Sequence, residues 1–133
     1  MEDYKFIFIT LLIYCSFVSC KLRPSSPVIE TLFDQVDLGV VDFDSTITIK
    51  YLIKNSGNGV LKIDTATSSC GCSNPILSQR ILNPGKEGVL SIRFKPVDTG
   101  DFKKKIILKS NIDSGFIVFS FSGYAKQYQF SVK

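Results

Sequence analysis

The chain contains no histidine and no tryptophan, and its only methionine is Met1. Without histidine, a Ser-His-Asp or Cys-His nucleophile arrangement cannot be assembled. A blue-copper centre, which needs imidazole ligands, is excluded as well. A two-carboxylate glycosidase stays formally open. Yet Asp42, Asp44, Asp98, Asp101 and Asp113 fall in turn-like stretches, where polar turn-formers are expected. No acid/base pair converges, and no Gly-rich phosphate loop is present. The expectation is a non-enzyme without a cofactor.

A long apolar run is also lacking. Phe6–Val18 is uncharged but only 13 residues long, whereas a spanning helix needs about 20 apolar residues. That length suits the core of a signal peptide. Its flank, Met1-Glu2-Asp3-Tyr4-Lys5, has one lysine against two acids, where a basic flank is usual. The run ends in Phe17-Val18-Ser19-Cys20. This junction resembles the lipobox of bacterial lipoproteins, with Phe17 in place of the usual leucine. The resemblance implies removal of residues 1–19 and diacylation of Cys20 as the new N-terminus. Acyl chains contribute about 0.8 kcal/mol per buried CH₂, so several would hold the protein to a membrane. The alternatives are cleavage elsewhere, which leaves Cys20 an ordinary thiol, or an uncleaved anchor.

The expected layout is a signal peptide over 1–19, a lipidated tether over 20–27 and one folded domain over 28–133. Lys21–Pro27 carries two prolines and two serines, which disfavour regular structure and suit a tether. Losing Lys5, Glu2 and Asp3 raises the formal charge from +4 to +5. That is mildly basic and gives no ground for a nucleic-acid partner. Acidic residues after the lipidated cysteine resemble the surface-export signal of Bacteroidota lipoproteins. Lys21-Leu22-Arg23 lacks them, so a periplasm-facing position is expected.

What is present is β-sheet patterning. In Thr46–Lys54, Ile47, Ile49, Tyr51 and Ile53 fall on one face and Thr46, Thr48, Lys50 and Lys54 on the other. Period-two alternation with β-branched residues marks a half-buried strand. Asn55-Ser56-Gly57-Asn58-Gly59 reads as a turn into a strand opening at Val60–Ile63. Val89–Lys95 turns Leu90, Ile92 and Phe94 inward, and Phe102–Lys109 does the same with Phe102, Ile106 and Leu108. Phe116–Phe121 is apolar on both faces, as a central strand can be. Shorter strands are expected near Val28–Leu32, Val36–Leu38 and Ile76–Leu82. Several strands with regular turns over roughly 100 residues predict an all-β, immunoglobulin-like antiparallel sandwich of about seven strands.

Tyr51–Gly57, Leu61-Lys62-Ile63, Ser69-Cys70-Gly71-Cys72-Ser73, Pro84–Gly88, Gly100–Lys104, Ser110-Asn111 and Gly123 together resemble the domain of unknown function 1573 family. The resemblance covers about Val36–Ala125. It implies an immunoglobulin-like domain of secreted and lipid-anchored Bacteroidota proteins, and it supplies no established activity.

Of the four cysteines, Cys15 leaves with the signal and Cys20 would be lipidated. Cys70 and Cys72 remain, separated by Gly71, which permits a tight bend. Three states are open to them. An oxidising periplasm favours a disulfide, and a bridge over so short a loop is relatively reducible. Two thiolates can also hold Cu(I), although one chain lacks a usual Cys/His zinc set. Or both cysteines simply pack at a strand end.

Arg93 and Lys95 alternate outward on one strand, and Lys103, Lys105 and Lys109 on the next. If the two strands pair as a hairpin across Pro96–Asp101, the five charges share one face. They would then meet anionic lipid or acidic glycan, or else form a solvated face that discourages aggregation. Tyr124 and Tyr128 are the aromatics available for a carbohydrate site. The expected function is a lipid-anchored, non-catalytic binding or assembly module with an envelope protein partner. The alternative is thiol redox or Cu(I) handling at Cys70 and Cys72.

Overall fold

The computed structural model describes residues 24–127. They form nine strands: β1 Ile29–Glu30, β2 Gln35–Asp42, β3 Ile47–Asn55, β4 Leu61–Ser68, β5 Ser73–Leu77, β6 Ile81–Leu82, β7 Glu87–Phe94, β8 Gly100–Ser110 and β9 Phe116–Lys126. A four-stranded sheet has the order β1-β3-β7-β5 and packs on a five-stranded sheet, β2-β9-β8-β4-β6. The expected sandwich is present, with two differences. The stretch expected as one strand over Ile76–Leu82 is divided between β5 and β6. And β2 joins β9 in parallel, whereas the other strand pairs are antiparallel. No helix among the described residues is long and apolar enough to cross a membrane.

The period-two patterns explain the core. Ile49, Tyr51 and Ile53 from β3 and Leu90, Ile92 and Phe94 from β7 face Leu61, Ile63, Ile106, Leu108, Phe119 and Phe121 from the opposite sheet. Burying each side chain of this size is worth about 1.5–3 kcal/mol. The rings interlock: Phe94 lies 4.9 Å from Phe102 and 5.0 Å from Phe121, and Tyr51 lies 4.8 Å from Phe119. Gly123 sits opposite Phe102, and a Cβ there would come within 2.8 Å of the Phe102 ring and of the Gly39 carbonyl. The Tyr51 hydroxyl donates to the Ser120 carbonyl at 2.7 Å, tying the two sheets through the core.

β7 and β8 do not pair as a hairpin. Both edges of β7 are already taken, by β3 and β5, while β8 lies between β9 and β4. Residues 96–99 therefore cross from one sheet to the other, and buried Pro96 ends the ladder because it has no N–H to give. The expectation of one shared basic face is corrected accordingly. Arg93 projects from the outer side of the four-stranded sheet, with Lys95 just past its end. Lys103, Lys105 and Lys109 project from the outer side of the five-stranded sheet, which faces the other way.

The sandwich has two distinct ends. At one, Ile29 pairs with Asn55. At the other, Phe94 pairs with both Ile47 and Ser73. A nine-residue strand such as β3 separates them by roughly 30 Å at about 3.4 Å per residue.

The chain enters at the first end and is stitched there. Ser26 N–H donates to the Asn58 side chain at 2.9 Å, and the Ser26 carbonyl accepts from Asn58 and Gly59 N–H, each at 3.2 Å. Pro27 is buried. The end of the stretch expected as a tether is bonded to the folded unit, because the Asn55–Gly59 turn offers it the Asn58 side-chain oxygen and the Asn58 and Gly59 N–H groups.

Candidate functional site at the disulfide turn and the β2 edge

Residues 69–72 carry the chain from the end of β4 in one sheet to the start of β5 in the other. The turn is held on both sides. Ser69 N–H donates to the Lys105 carbonyl at 2.9 Å, and Lys105 N–H returns a bond to Ser69 Oγ at 3.1 Å. Lys95 N–H donates to the Cys72 carbonyl at 3.4 Å. Within this frame Cys70 and Cys72 are joined as a disulfide, with an S–S distance of 2.03 Å and a Cα–Cα distance of 5.3 Å.

Serine hydroxyls surround the bridge. Ser68 Oγ accepts from Cys70 N–H at 3.3 Å, and Ser73 Oγ lies 3.4 Å from Cys70 Sγ and 3.9 Å from Cys72 Sγ. Both cysteines are half-buried, and Cys72 packs against the core. In this state both sulfurs are spent on each other, and neither is a thiolate able to hold Cu(I). Among the described residues, no group of three or more Cys, Asp or Glu side chains is placed to hold a metal ion.

Gly71 does not take the left-handed conformation that favours glycine. Its φ is not positive, and a Cβ built there meets nothing within 4 Å. The bend between the cysteines does not depend on glycine.

Of the other expected sites, Cys20 and Tyr128 lie outside the described residues. Tyr124 is 46% exposed and stands outward on β9. Arg93 and the three lysines of β8 are split between two outer faces, and Lys95 lies just past the end of β7.

A feature that local patterning missed is the edge formed by β2. Gln35–Asp42 is eight residues long and pairs with β9 along one side. The register shifts between Asp37 and Val40, around Gly39 at φ +63, and Asp37 caps the bulge by accepting from Gly39 N–H at 2.9 Å. Past the bulge, Val40 comes opposite Tyr124 and is 62% exposed. A shallow groove of about 590 Å³ runs beside them, lined by Asp37, Val40, Lys103, Ser122 and Tyr124 among others. The other edges are shorter or blocked: β1 and β6 have two residues each, and β5 carries Pro75.

The family described as "Protein of unknown function (DUF1573)" matches residues 29–125. The chain belongs to this family. Among solved structures, this DUF1573 member is similar to a protein of unknown function from Porphyromonas gingivalis W83. The TM-score is 0.69 at 18% identity, covering 75% of this chain and 47% of that one. It is similar to PapD-like domain 7 of human CEP192, with a TM-score of 0.63 at 14% identity, covering 85% and 95%. It also resembles the secreted serine protease VesC from Vibrio cholerae, with a TM-score of 0.56 at 14% identity, covering 77% and 23%.

At such identities the likeness shows the fold, an immunoglobulin-like sandwich of the PapD type, and nothing further. The DUF1573 chain spans about half the length of the Porphyromonas gingivalis protein and about a quarter of the protease. No curated protein matches it by sequence.

Proposed function

We propose that this DUF1573 chain is a non-catalytic binding or assembly module, held at the cell envelope by lipid on Cys20 and offering the β2 edge to a protein partner. The edge itself carries the proposal. It is the one long strand among the described edges, it is paired along one side, and it sets exposed Val40 beside exposed Tyr124. A partner strand laid along it would gain backbone hydrogen bonds, with side-chain selection from the adjoining groove. The bulge at Gly39 splits the edge into short segments, which limits indiscriminate pairing. The location is supported by the Phe6–Val18 run and its Phe17-Val18-Ser19-Cys20 ending. The lack of histidine supports a non-catalytic role, since a Ser-His-Asp triad cannot be assembled from these residues.

A photo-crosslinking residue in place of Val40, in the lipidated protein in its native envelope, tests the binding surface. The expected result is a discrete adduct with an envelope protein that does not form from position Ile76, exposed on the other sheet. No adduct, or identical adducts from both positions, would contradict the proposal.

One observation favours a second function, thiol redox chemistry. The Ser73 hydroxyl, 3.4 Å from Cys70 Sγ, is placed to donate to a thiolate formed when two electrons open the disulfide. Replacing Cys70 and Cys72 by serine separates the two. A lost redox or copper phenotype with crosslinking from position 40 intact would favour thiol chemistry.

A further inference from the structure

The folded unit begins within a few residues of Cys20, and for a lipidated Cys20 this limits how far its opposite end can approach the membrane. Ser26 is bonded to Asn58 and Gly59, Val28 N–H donates to the Asn55 side chain at 3.3 Å, and Ser56 N–H donates to the Val28 carbonyl at 3.0 Å. Four residues, Lys21–Pro24, separate Cys20 from Ser25. Fully extended, that link reaches about 18 Å at ~3.6 Å per residue, less than the roughly 30 Å length of the sandwich.

Exposed apolar side chains flank the entry point among polar turn residues. Val28 is 50% and Phe116 52% exposed, and Val60, whose carbonyl accepts from Asn111, is exposed beside them. A groove of about 390 Å³ runs between the entering segment and the β8–β9 turn, lined by Pro27, Val28, Ile112 and Phe116 among others. Phe116 is reached by the β9 start that β2 leaves uncovered, since β2 pairs with β9 only from Ser120 onward. Lys109 pairs with Phe116 in register, which adds a cation at the same end, with Asp113 the acid of the adjoining turn.

We infer that the Val28–Phe116 end of the sandwich rests on the lipid headgroups, so that the Cys70–Cys72 turn forms the membrane-distal tip. The inference rests on lipidation of Cys20. Its occupant is a bilayer surface because the link from Cys20 is too short to turn the opposite end toward the membrane, and because amphipathic surfaces beside an anchor add to its hold. The disulfide turn, Pro96–Thr99 and the end of β9 then lie together at the far end, open to the aqueous side.

The absence of tryptophan supplies the test. Phe116→Trp and, separately, Val97→Trp each introduce a single indole, the latter at an exposed position in the far-end crossover. The lipidated proteins are reconstituted into phosphatidylethanolamine–phosphatidylglycerol vesicles with brominated acyl chains. Trp fluorescence from the Phe116 variant is expected to shift to the blue and to be quenched at least about twofold, and that from the Val97 variant to be unaffected. Val28→Trp repeats the first reading should Phe116→Trp fail to fold.

Vesicle flotation is scored in parallel, with Cys20→Ser as the control. Protein that floats no better than the control overturns the anchor and this orientation with it. Protein that floats with equal quenching at both positions, or none at position 116, overturns the orientation alone. Protection at position 116 that appears without bromine quenching, and grows with protein concentration, assigns that end to a second copy and likewise overturns it.

Discussion

The Asn55 side-chain amide donates to the Leu82 carbonyl at 2.9 Å, across 27 residues of sequence. The same amide donates to the Gly59 carbonyl at 2.7 Å, while its oxygen accepts from Val28 at 3.3 Å and Gly57 at 3.1 Å. One fully buried side chain therefore binds the entering segment, the turn after β3 and the short strand β6 into a single end.

Asn55→Ala leaves two buried carbonyls and two N–H groups short of a partner. Unsatisfied buried groups cost about 1–3 kcal/mol each. The expected loss is about 3 kcal/mol or more, read as a lower urea midpoint with an unchanged slope. Asn55→Asp is expected to be no better, because a carboxylate turns both donors into acceptors facing carbonyl oxygens.

Two glycines make an opposed pair. At Gly57 a Cβ would come within 2.5 Å of Val28 N and would also strike the Ser26 carbonyl. Both are backbone atoms that cannot swing aside. Gly57→Ala should lower stability by about 1–3 kcal/mol and speed proteolysis at the N-terminal segment. Gly71→Ala should be neutral, since its φ is ordinary and the space is open. Thermal unfolding of the two variants checks both.

These positions show what was legible in the sequence. Alternation in Ile47–Ile53 and Leu90–Phe94 states which side of each strand is apolar, and those residues are the core. It does not state which strand lies alongside. The five residues after Phe94 suit a hairpin or a crossover equally well by composition, and the crossover occurs because β7 has both neighbours already. Asn55 looked like turn chemistry because its partners at Val28 and Leu82 are remote in sequence. Gly71 between two cysteines suggests a tight bend, although its φ is not in the left-handed region that favours glycine. The β2 edge was visible only as Val36–Leu38, since its bulge at Gly39 breaks the alternation past Leu38.

The Cys70–Cys72 bridge closes a very small loop, so it removes little freedom from the unfolded chain. Loop-closure entropy for so few residues amounts to about 1.5 kcal/mol. The Cys70→Ser/Cys72→Ser protein is expected to keep its fold and to lose no more than that in guanidinium unfolding. A loss of several kcal/mol would show that the turn acts as a staple.

Burial pushes the Tyr51 phenol up to about 12, with the Asp34 carboxylate adding to the effect. The folded protein thus holds this proton more tightly than the unfolded chain, whose tyrosine titrates near 10. Stability linked to Tyr51 is fully present below pH 10 and is lost as pH rises through about 12. Ultraviolet titration should show its phenolate only near pH 12, and Tyr51→Phe should abolish that late step.

In the proposed function, Cys20 carries the lipid from which the folded module hangs. Intact mass of the protein extracted from its native membrane tests this most directly. A mature chain beginning at Cys20, heavier than its polypeptide by a diacylglyceryl group, is the predicted result. A mature chain that starts elsewhere, or that begins at Cys20 with a free thiol, would contradict it.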